Sequence, residues 1–163
     1  GGPGNDSFTM ISALFATLGI ASEAVPYDGG QEAINALVGG HVDVAIGSPP
    51  TYRDYVINGE LNCLGTFIPE GLDVEGIGHI PSFKDQGIDI EFTGMDYFAV
   101  RSTVDAEKQE ILRDFVLKVY AEPDFQKFMA DMGMAAWEAD SSEILGMVAS
   151  QTEAMAKYIP LVQ

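Results

Sequence analysis

Cysteine and positive charge are scarce in this chain of 163 residues, and each scarcity excludes a class of protein. The single cysteine, Cys63, cannot form an internal disulfide or a cysteine-rich zinc site. It lies in the apolar run LNCLGTF, where we expect a buried small hydrophobic residue. Eight scattered Lys and Arg stand against 25 Asp and Glu, a net charge of −17. Nucleic acid and anionic membrane surfaces are therefore not expected as partners, since both attract proteins with basic patches.

Groups that could carry out catalysis are also scarce. The two histidines, His41 and His79, have no plausible serine or cysteine nucleophile near them in sequence, and we expect exposed or structural roles for both. His41 is expected at the sheet edge opposite the binding loops described below. Asp73 and Glu75 are expected in a solvated loop rather than at a metal. We therefore expect no enzymatic activity, no metal and no cofactor. No apolar run reaches the roughly 20 residues of a membrane-spanning helix.

Helices and strands alternate along the first 67 residues. Phe8, Ile11, Phe15 and Leu18 recur at helical spacing, and glycine pairs or Asn58-Gly59 mark where later helices end. The pattern predicts helices over 7–18, 31–38 and from Pro49-Pro50 to Asn58, with strands at 24–27, 42–46 and 61–67. Such alternation predicts an α/β fold with a mostly parallel sheet.

The rest of the chain is predicted to be mostly helical. We expect a loop over 68–79, a helical turn over 81–86 and strands at 88–92 and 97–100. A helix over about 105–121 should bury Ile111, Leu112, Phe115 and Val119, and the next should run from Pro123 to near Gly133. An extended piece over 135–139 should lead to a last helix that is capped by Ser141 or Ser142 and carries Glu143 in its first turn.

Three loops should meet at one edge of the sheet, because ligands of open α/β sheets lie outside the carboxyl ends of the strands. These loops, 1–7, 27–30 and 47–49, each lead into a helix and are rich in glycine or small polar residues. Helix N-termini present unpaired N–H groups and about half a positive charge. A site for an anion is therefore predicted, with Asn5 and Ser7 as donors. Neither G-x-G-x-x-G nor a P-loop is present, which favours a carboxylate over a phosphate.

The same loops also fit a simpler interpretation, in which each is an ordinary helix cap. Asp6 and Asp28 lie near the predicted anion site and are expected to cap their own helices. Alternatively, they receive an amino group of a ligand or a bound water.

Four stretches resemble one known family. The string PYDGGQEAINALVGGHVDVAIGSPP (26–50) is similar to the second-lobe signature of the tripartite tricarboxylate transporter solute-binding proteins, the TctC or Bug family. GGPGNDSF (1–8) resembles their glycine-rich loop, IPSFKDQGIDIEF (80–92) their Pro-Thr-Leu-Lys-Glu-Gln-Gly stretch, and YAEPDFQKFMADMGMAAWEADSSE (120–143) their C-terminal helices. The resemblance covers nearly the whole chain.

The resemblance implies a periplasmic-binding-protein-like (type II) α/β lobe, with helices on both faces of the sheet. It implies that residues 1–92 form the second, ligand-binding lobe and that residues 93–163 form a hinge strand and a helical return segment. A first lobe, which has no counterpart in this chain, would complete the protein. The protein would be periplasmic, with a signal peptide upstream, and would close about a hinge near residues 92–97.

The resemblance also implies a ligand and a site. The ligand is a small carboxylate held between two lobes and delivered to the membrane permease subunits of a transporter. By position, its ligand-binding residues are Gly4, Asn5, Asp6, Ser7, Tyr27, Asp28, Gly29, Gly30, Gly47 and Ser48, with Met95 and Asp96 at the mouth of the cleft. The family often has Trp-Arg-Gly where this chain has Met95-Asp96-Tyr97, so an acid replaces a common cation. That departure leaves open a ligand that also bears an amine.

Two other classes of function remain open from the sequence. One is a ligand-sensing regulatory domain with the same two-lobed fold, which a DNA-binding or kinase segment upstream would indicate. The other is a small α/β enzyme, against which the lack of a nucleophile–base pair and of a metal cluster argues.

Overall fold

The computed structural model describes residues 5–134 and 139–161. The elements follow one another along the chain as α1 (Asp6–Leu18), α2 (Gly30–Val38), α3 (Pro49–Ile57), β1 (Leu72–Val74), β2 (Gly78–Ile80), α4 (Ala106–Ala121), α5 (Pro123–Asp131), α6 (Ser141–Ala156) and a 3-10 turn (Ile159–Leu161). The predicted helices are thus confirmed, with their bounds shifted by one or two residues, but the helical turn predicted over 81–86 forms hydrogen-bonded turns rather than a helix. The extended piece predicted over 135–139 lies almost entirely outside the described residues.

The core forms between α1, the segment before residue 92 and the C-terminal turn. Met10, Ala13 and Leu14 lie on one face of α1 and pack with Phe83, Ile90 and Tyr158. Partly buried side chains surround this cluster: Ile46, Phe67, Ile88, Phe92 and Met155. The core therefore joins residues from both sides of position 92.

The buried face of α1 differs from the predicted spacing. Phe8, Ile11 and Phe15 are half-buried and Leu18 is 43% exposed, whereas Met10 and Ala13 are almost fully buried. Nearly every position of this helix is apolar or small, so the spacing alone could not select the buried face.

The one sheet among the described residues is a two-stranded antiparallel hairpin. β1 and β2 pair with Leu72 opposite Ile80 and Val74 opposite Gly78, and Gly76 adopts φ +82° in the turn between them. This hairpin occupies the segment that was predicted as a loop. Its strands are short and joined by a tight turn, so pairing needs no distant partner.

The strands predicted at 24–27, 42–46, 61–67, 88–92 and 97–100 do not form regular ladders. One parallel bridge, between Thr66 and Ser82, joins two of the neighbouring segments. Ile46, Phe67 and Ile90 nevertheless pack into or against the core, as expected for buried strands. Apolar patterning shows which residues can be buried, but a ladder also requires a second backbone within hydrogen-bonding distance.

Helix α4 exposes the side chains that were predicted to face inward. Ile111, Leu112 and Phe115 are 61%, 45% and 64% exposed, and Val119 is half-buried. The periodicity correctly indicated an amphipathic helix. The prediction of burial was wrong for Ile111, Leu112 and Phe115, because the described part of the chain places no partner over this face.

Candidate ligand-binding site

The second and third of the predicted loops meet beside the starts of α2 and α3. A Cβ on Gly30 would lie 3.5 Å from Thr51 Cγ2, and a Cβ on Gly47 would lie 2.6 Å from Thr51 Oγ1. The same Cβ on Gly47 would lie 3.3 Å from Cδ1 of Ile34, a buried residue of α2. Gly47 therefore fits between the two helices only because it has no side chain. The structure thus brings together Gly30, Gly47 and Ser48.

The start of α2 is open to a ligand. Its N-cap residue is Gly29, which is extended (φ −156°, ψ 161°), and no side chain caps the helix. The first N–H groups of a helix have no partner within the helix. Gly29 and Gly30 are exposed, so these donors can reach a ligand without a side chain in the way. A negatively charged group placed here would also gain from the helix dipole.

The start of α1 is capped by its own residues. The Ser7 N–H donates to Asn5 Oδ1 at 3.0 Å and to Asp6 Oδ1 at 2.7 Å. The Ser7 hydroxyl also donates to Asp6 Oδ1, at 3.4 Å. These polar groups, predicted as ligand donors, are thus paired with one another in this structure. Gly4 lies outside the described residues.

The start of α3 offers few backbone donors. Pro49 and Pro50 have no N–H, and the next N–H, of Thr51, donates to Ser48 O at 2.9 Å. The Thr51 hydroxyl donates to the same carbonyl at 2.7 Å. Ser48 is exposed and its side chain does not cap the helix, which leaves its hydroxyl as a candidate donor. The Pro-Pro pair could have revealed this shortage from the sequence.

Carboxylates surround the open start of α2. The Asp28 N–H donates to Glu32 Oε2 at 3.2 Å, which places the Glu32 carboxylate over the first turn of the helix. Glu32 was not among the predicted site residues, although an acid at the third helical position is a common feature of capped helices. Arg53 of α3 instead donates from Nε to the Glu75 carbonyl at 2.9 Å. The Arg53 guanidinium is thus directed to the turn between β1 and β2.

A surface cavity of about 470 Å³ lies along α2. It is lined by Tyr27, Glu32, Asn35, Ala36 and His41. His41 was expected at the opposite edge of the sheet, but it lines the same cavity as Tyr27. The exposed imidazole folds back on the end of α2, where a Cβ on Gly39 would lie 3.1 Å from its Cδ2. The glycine pair that ends α2 permits this return.

Met95 and Asp96 are not joined to these loops. Met95 is half-buried and Asp96 is exposed. Across residues 5–134 and 139–161, no hydrogen bond or ion pair connects either of them to residues 27–30 or 47–48. Their place in a binding site stays a prediction from the family resemblance.

Tyr52 of α3 and Cys63 are both partly buried and interact with each other. Burial raises the pKa of the Cys63 thiol, which is half-buried rather than fully buried as expected. Burial also raises the pKa of Tyr52, and Cys63 adds to that shift. Both groups are therefore neutral at pH 7, which favours packing over reactivity.

Two features are absent from residues 5–134 and 139–161. No group of three or more His, Cys, Asp or Glu side chains in these ranges is arranged to hold a metal ion. No helix in the same ranges combines the length and the apolar character needed to cross a bilayer.

Comparison of the structure with solved structures identifies the fold. The structure matches a crystal structure described as a TctC solute binding protein from Polaromonas with no ligand, at a TM-score of 0.65 and 21% sequence identity. The match covers 99% of this chain and 55% of that one. The chain therefore has the α/β fold of a periplasmic-binding-protein-like lobe, and the predicted fold class is confirmed.

The family follows from the sequence match. A model described as the tripartite tricarboxylate transporter family receptor, TctC, matches residues 2–162, so this chain belongs to the TctC family. It is also 26% identical over 125 residues to the UPF0065 protein in the gbd 5′ region of Cupriavidus necator. That alignment covers 77% of this chain and 37% of the relative, so the chain spans well under two thirds of the relative's length. The predicted family is thus confirmed.

Proposed function

We propose that this chain is the second lobe of an extracytoplasmic solute-binding protein that captures a small carboxylate and delivers it to the permease subunits of a tripartite tricarboxylate-type transporter. The main support for this proposal is the open start of helix α2. Its start has no side-chain cap, and its exposed residue Gly30 shares the neighbour Thr51 with Gly47 and Ser48. A carboxylate fits this arrangement because it accepts several N–H bonds at once and is favoured by the helix dipole.

We further propose that the protein is periplasmic and that this lobe is completed by a first lobe. Residues 1–92 would hold one side of the ligand, residues 93–163 would form the hinge strand and return segment, and a first lobe would cover the other side. Binding would close the lobes about a hinge near residues 92–97, and the permease would recognise the closed form. The family membership and the partial coverage of the similar structure support this arrangement. The proposed role needs no catalysis.

Local charge decides which carboxylates this site accepts. Surface charges farther from the site than about 8 Å are largely screened at physiological salt, so the net charge of −17 does not by itself exclude an anion. Asp28 and Glu32 lie within the site and repel a second carboxylate held near α2. The same acids would attract an ammonium group. The proposal therefore covers di- and tricarboxylates and amino acids, and a titration panel must contain both.

One substitution removes a proposed donor and keeps the helix. Gly30 is the first residue of α2 and follows an extended residue, a position where proline is well tolerated. Gly30→Pro deletes the N–H and retains helical geometry. Ala106→Pro is the matched control, since Ala106 is the first residue of α4 and also follows an extended N-cap.

Titration calorimetry of both variants with succinate, citrate and glutamate tests the proposal. A hydrogen bond to a charged group contributes about 1.5–3 kcal/mol, so Gly30→Pro should weaken binding about tenfold or more. Ala106→Pro should bind like the wild type. Equal affinity of the wild type and Gly30→Pro would rule out the α2 start as the carboxylate site. No heat with any member of the panel, when the full-length protein that includes the first lobe is titrated, would contradict the proposed function.

A further inference from the structure

One side chain, Thr51, contacts both glycine loops of the candidate site. A Cβ on Gly30 would lie 3.5 Å from its methyl group Cγ2, and a Cβ on Gly47 would lie 2.6 Å from its hydroxyl. The hydroxyl donates to Ser48 O at 2.7 Å. Three of the predicted binding positions thus share one neighbour, and that neighbour was not among the predicted residues.

The Thr51 hydroxyl adds a second hydrogen bond to the Ser48 carbonyl at the start of α3. This carbonyl accepts both the N–H and the hydroxyl of Thr51, which is the first residue of α3 that has an N–H. The two bonds fix the peptide that follows Ser48 against the first turn of α3. On the other side, Gly47 packs against Ile34 of α2, which is 2% exposed. The Gly47–Ser48 loop is therefore held between two helices, with Thr51 on one side.

We propose that Thr51 is a positioning residue, which sets the distance between the open N–H groups at the start of α2 and the Gly47–Ser48 loop. This inference rests on the proposed function, since that spacing matters only if a carboxylate bridges the two. Thr51 acts through Gly30, Gly47 and Ser48 and does not itself need to touch the ligand. A displacement of a binding group by about 1 Å is enough to weaken its hydrogen bonds substantially.

The two parts of the Thr51 side chain can be tested separately. Thr51→Val keeps the size but loses the hydroxyl bond to Ser48 O, whereas Thr51→Ser keeps the hydroxyl and loses the methyl group next to Gly30. Thr152→Val is the matched control, because the Thr152 hydroxyl donates to Val148 O at 2.8 Å in α6, outside the site. Each variant is titrated with succinate and citrate, and its thermal melting is recorded.

The proposal predicts an order of affinities that a purely structural role would not produce. Thr51→Val should bind citrate about three- to tenfold more weakly than the wild type, the effect of one lost hydrogen bond. Thr51→Ser should bind citrate almost as tightly as the wild type, because it keeps the hydroxyl. Thr152→Val should also bind like the wild type. The amide NMR signals of Gly47 and Ser48 should move in free Thr51→Val and stay near their wild-type positions in Thr51→Ser.

A steric pair provides the second readout. Gly47→Ala places its new methyl group against Thr51 Oγ1 and should weaken citrate binding. Adding Thr51→Ala removes the clash and should restore part of the affinity. The positioning role is overturned if Thr51→Val binds citrate as tightly as the wild type and Thr51→Ala does not rescue Gly47→Ala. The proposed function would still stand. No carboxylate binding by the wild type would overturn both.

Discussion

The hydroxyl of Tyr158 both accepts and donates a hydrogen bond at the backbone of Glu91, 67 residues earlier in the chain. It accepts from the Glu91 N–H at 3.0 Å and donates to the Glu91 carbonyl at 3.1 Å. Tyr158 is 3% exposed and packs with Met10 and Ile90 in the core. The C-terminal turn is thereby fastened to the segment that precedes the predicted hinge.

Removal of this hydroxyl should destabilise the fold. Tyr158→Phe leaves a partly buried N–H and carbonyl without their partner, which costs about 1–3 kcal/mol. Urea unfolding followed by circular dichroism measures the change. Tyr97→Phe is the control, because Tyr97 is 52% exposed and should change stability by less than about 0.5 kcal/mol. Equal stability of the two variants would show that the Tyr158 hydroxyl contributes nothing.

The loss in the free energy of unfolding when a large side chain is truncated should depend on how buried that side chain is. Its place in the apolar pattern of its helix should matter less. Met10 is 1% exposed, so Met10→Ala should lower the free energy of unfolding by about 2–5 kcal/mol. Phe115 is 64% exposed on α4, so Phe115→Ala should change it by less than about 0.5 kcal/mol. Chemical unfolding of the 163-residue chain compares the two. A large loss for Phe115→Ala would mean that α4 packs on a surface absent from the described structure.

Acid should weaken the start of α6. Backbone hydrogen bonds from Glu143 and hydrogen bonds from Ser142 lower the pKa of Asp140 below its usual value. A lowered carboxyl pKa stabilises the fold above the ordinary value of about 3.9, and this contribution disappears as the pH falls through the lowered pKa. Asp140→Asn keeps a capping oxygen but cannot ionise.

Thermal melts from pH 7 to pH 2.5 test this prediction on both proteins. The melting temperature of the wild type should exceed that of Asp140→Asn at pH 7, and the two should converge at the acid end. Subtracting one melting temperature from the other at each pH cancels the general effect of the changing net charge, because both proteins share it. A difference that stays constant with pH would contradict the role of the Asp140 charge.

Local signals explain why the helices could be predicted. Pro49 and Pro123 begin α3 and α5, as expected for proline in a first turn, and Gly19 caps α1 with φ +67°. The start of α6 was missed by one residue, since Asp140 rather than a serine is its N-cap. That cap was also readable, because Asp140 and Glu143 have the spacing of a capping box.

Features that depend on distant contacts could not be predicted. The strands predicted at 42–46 and 61–67 carry suitable apolar residues, but their pairing depends on which backbones come close. The burial of α4 likewise depends on a partner that its own sequence does not specify. At the site, the sequence predicted the loops that contain Gly30 and Gly47, whereas the proposed role of Thr51 emerges only from the structure, in which the two branches of its side chain lie next to these glycines.

The central claim is that a carboxylate binds at the open start of α2 beside Gly47 and Ser48. Amide NMR spectra of the isotopically labelled chain, recorded during titration with citrate and with sodium chloride at matched ionic strength, test it most directly. We predict saturable shifts of the Gly30, Gln31, Gly47 and Ser48 amides with citrate alone, and none at Gly146 in α6. Shifts spread evenly over the chain, or equal shifts with chloride, would contradict the claim.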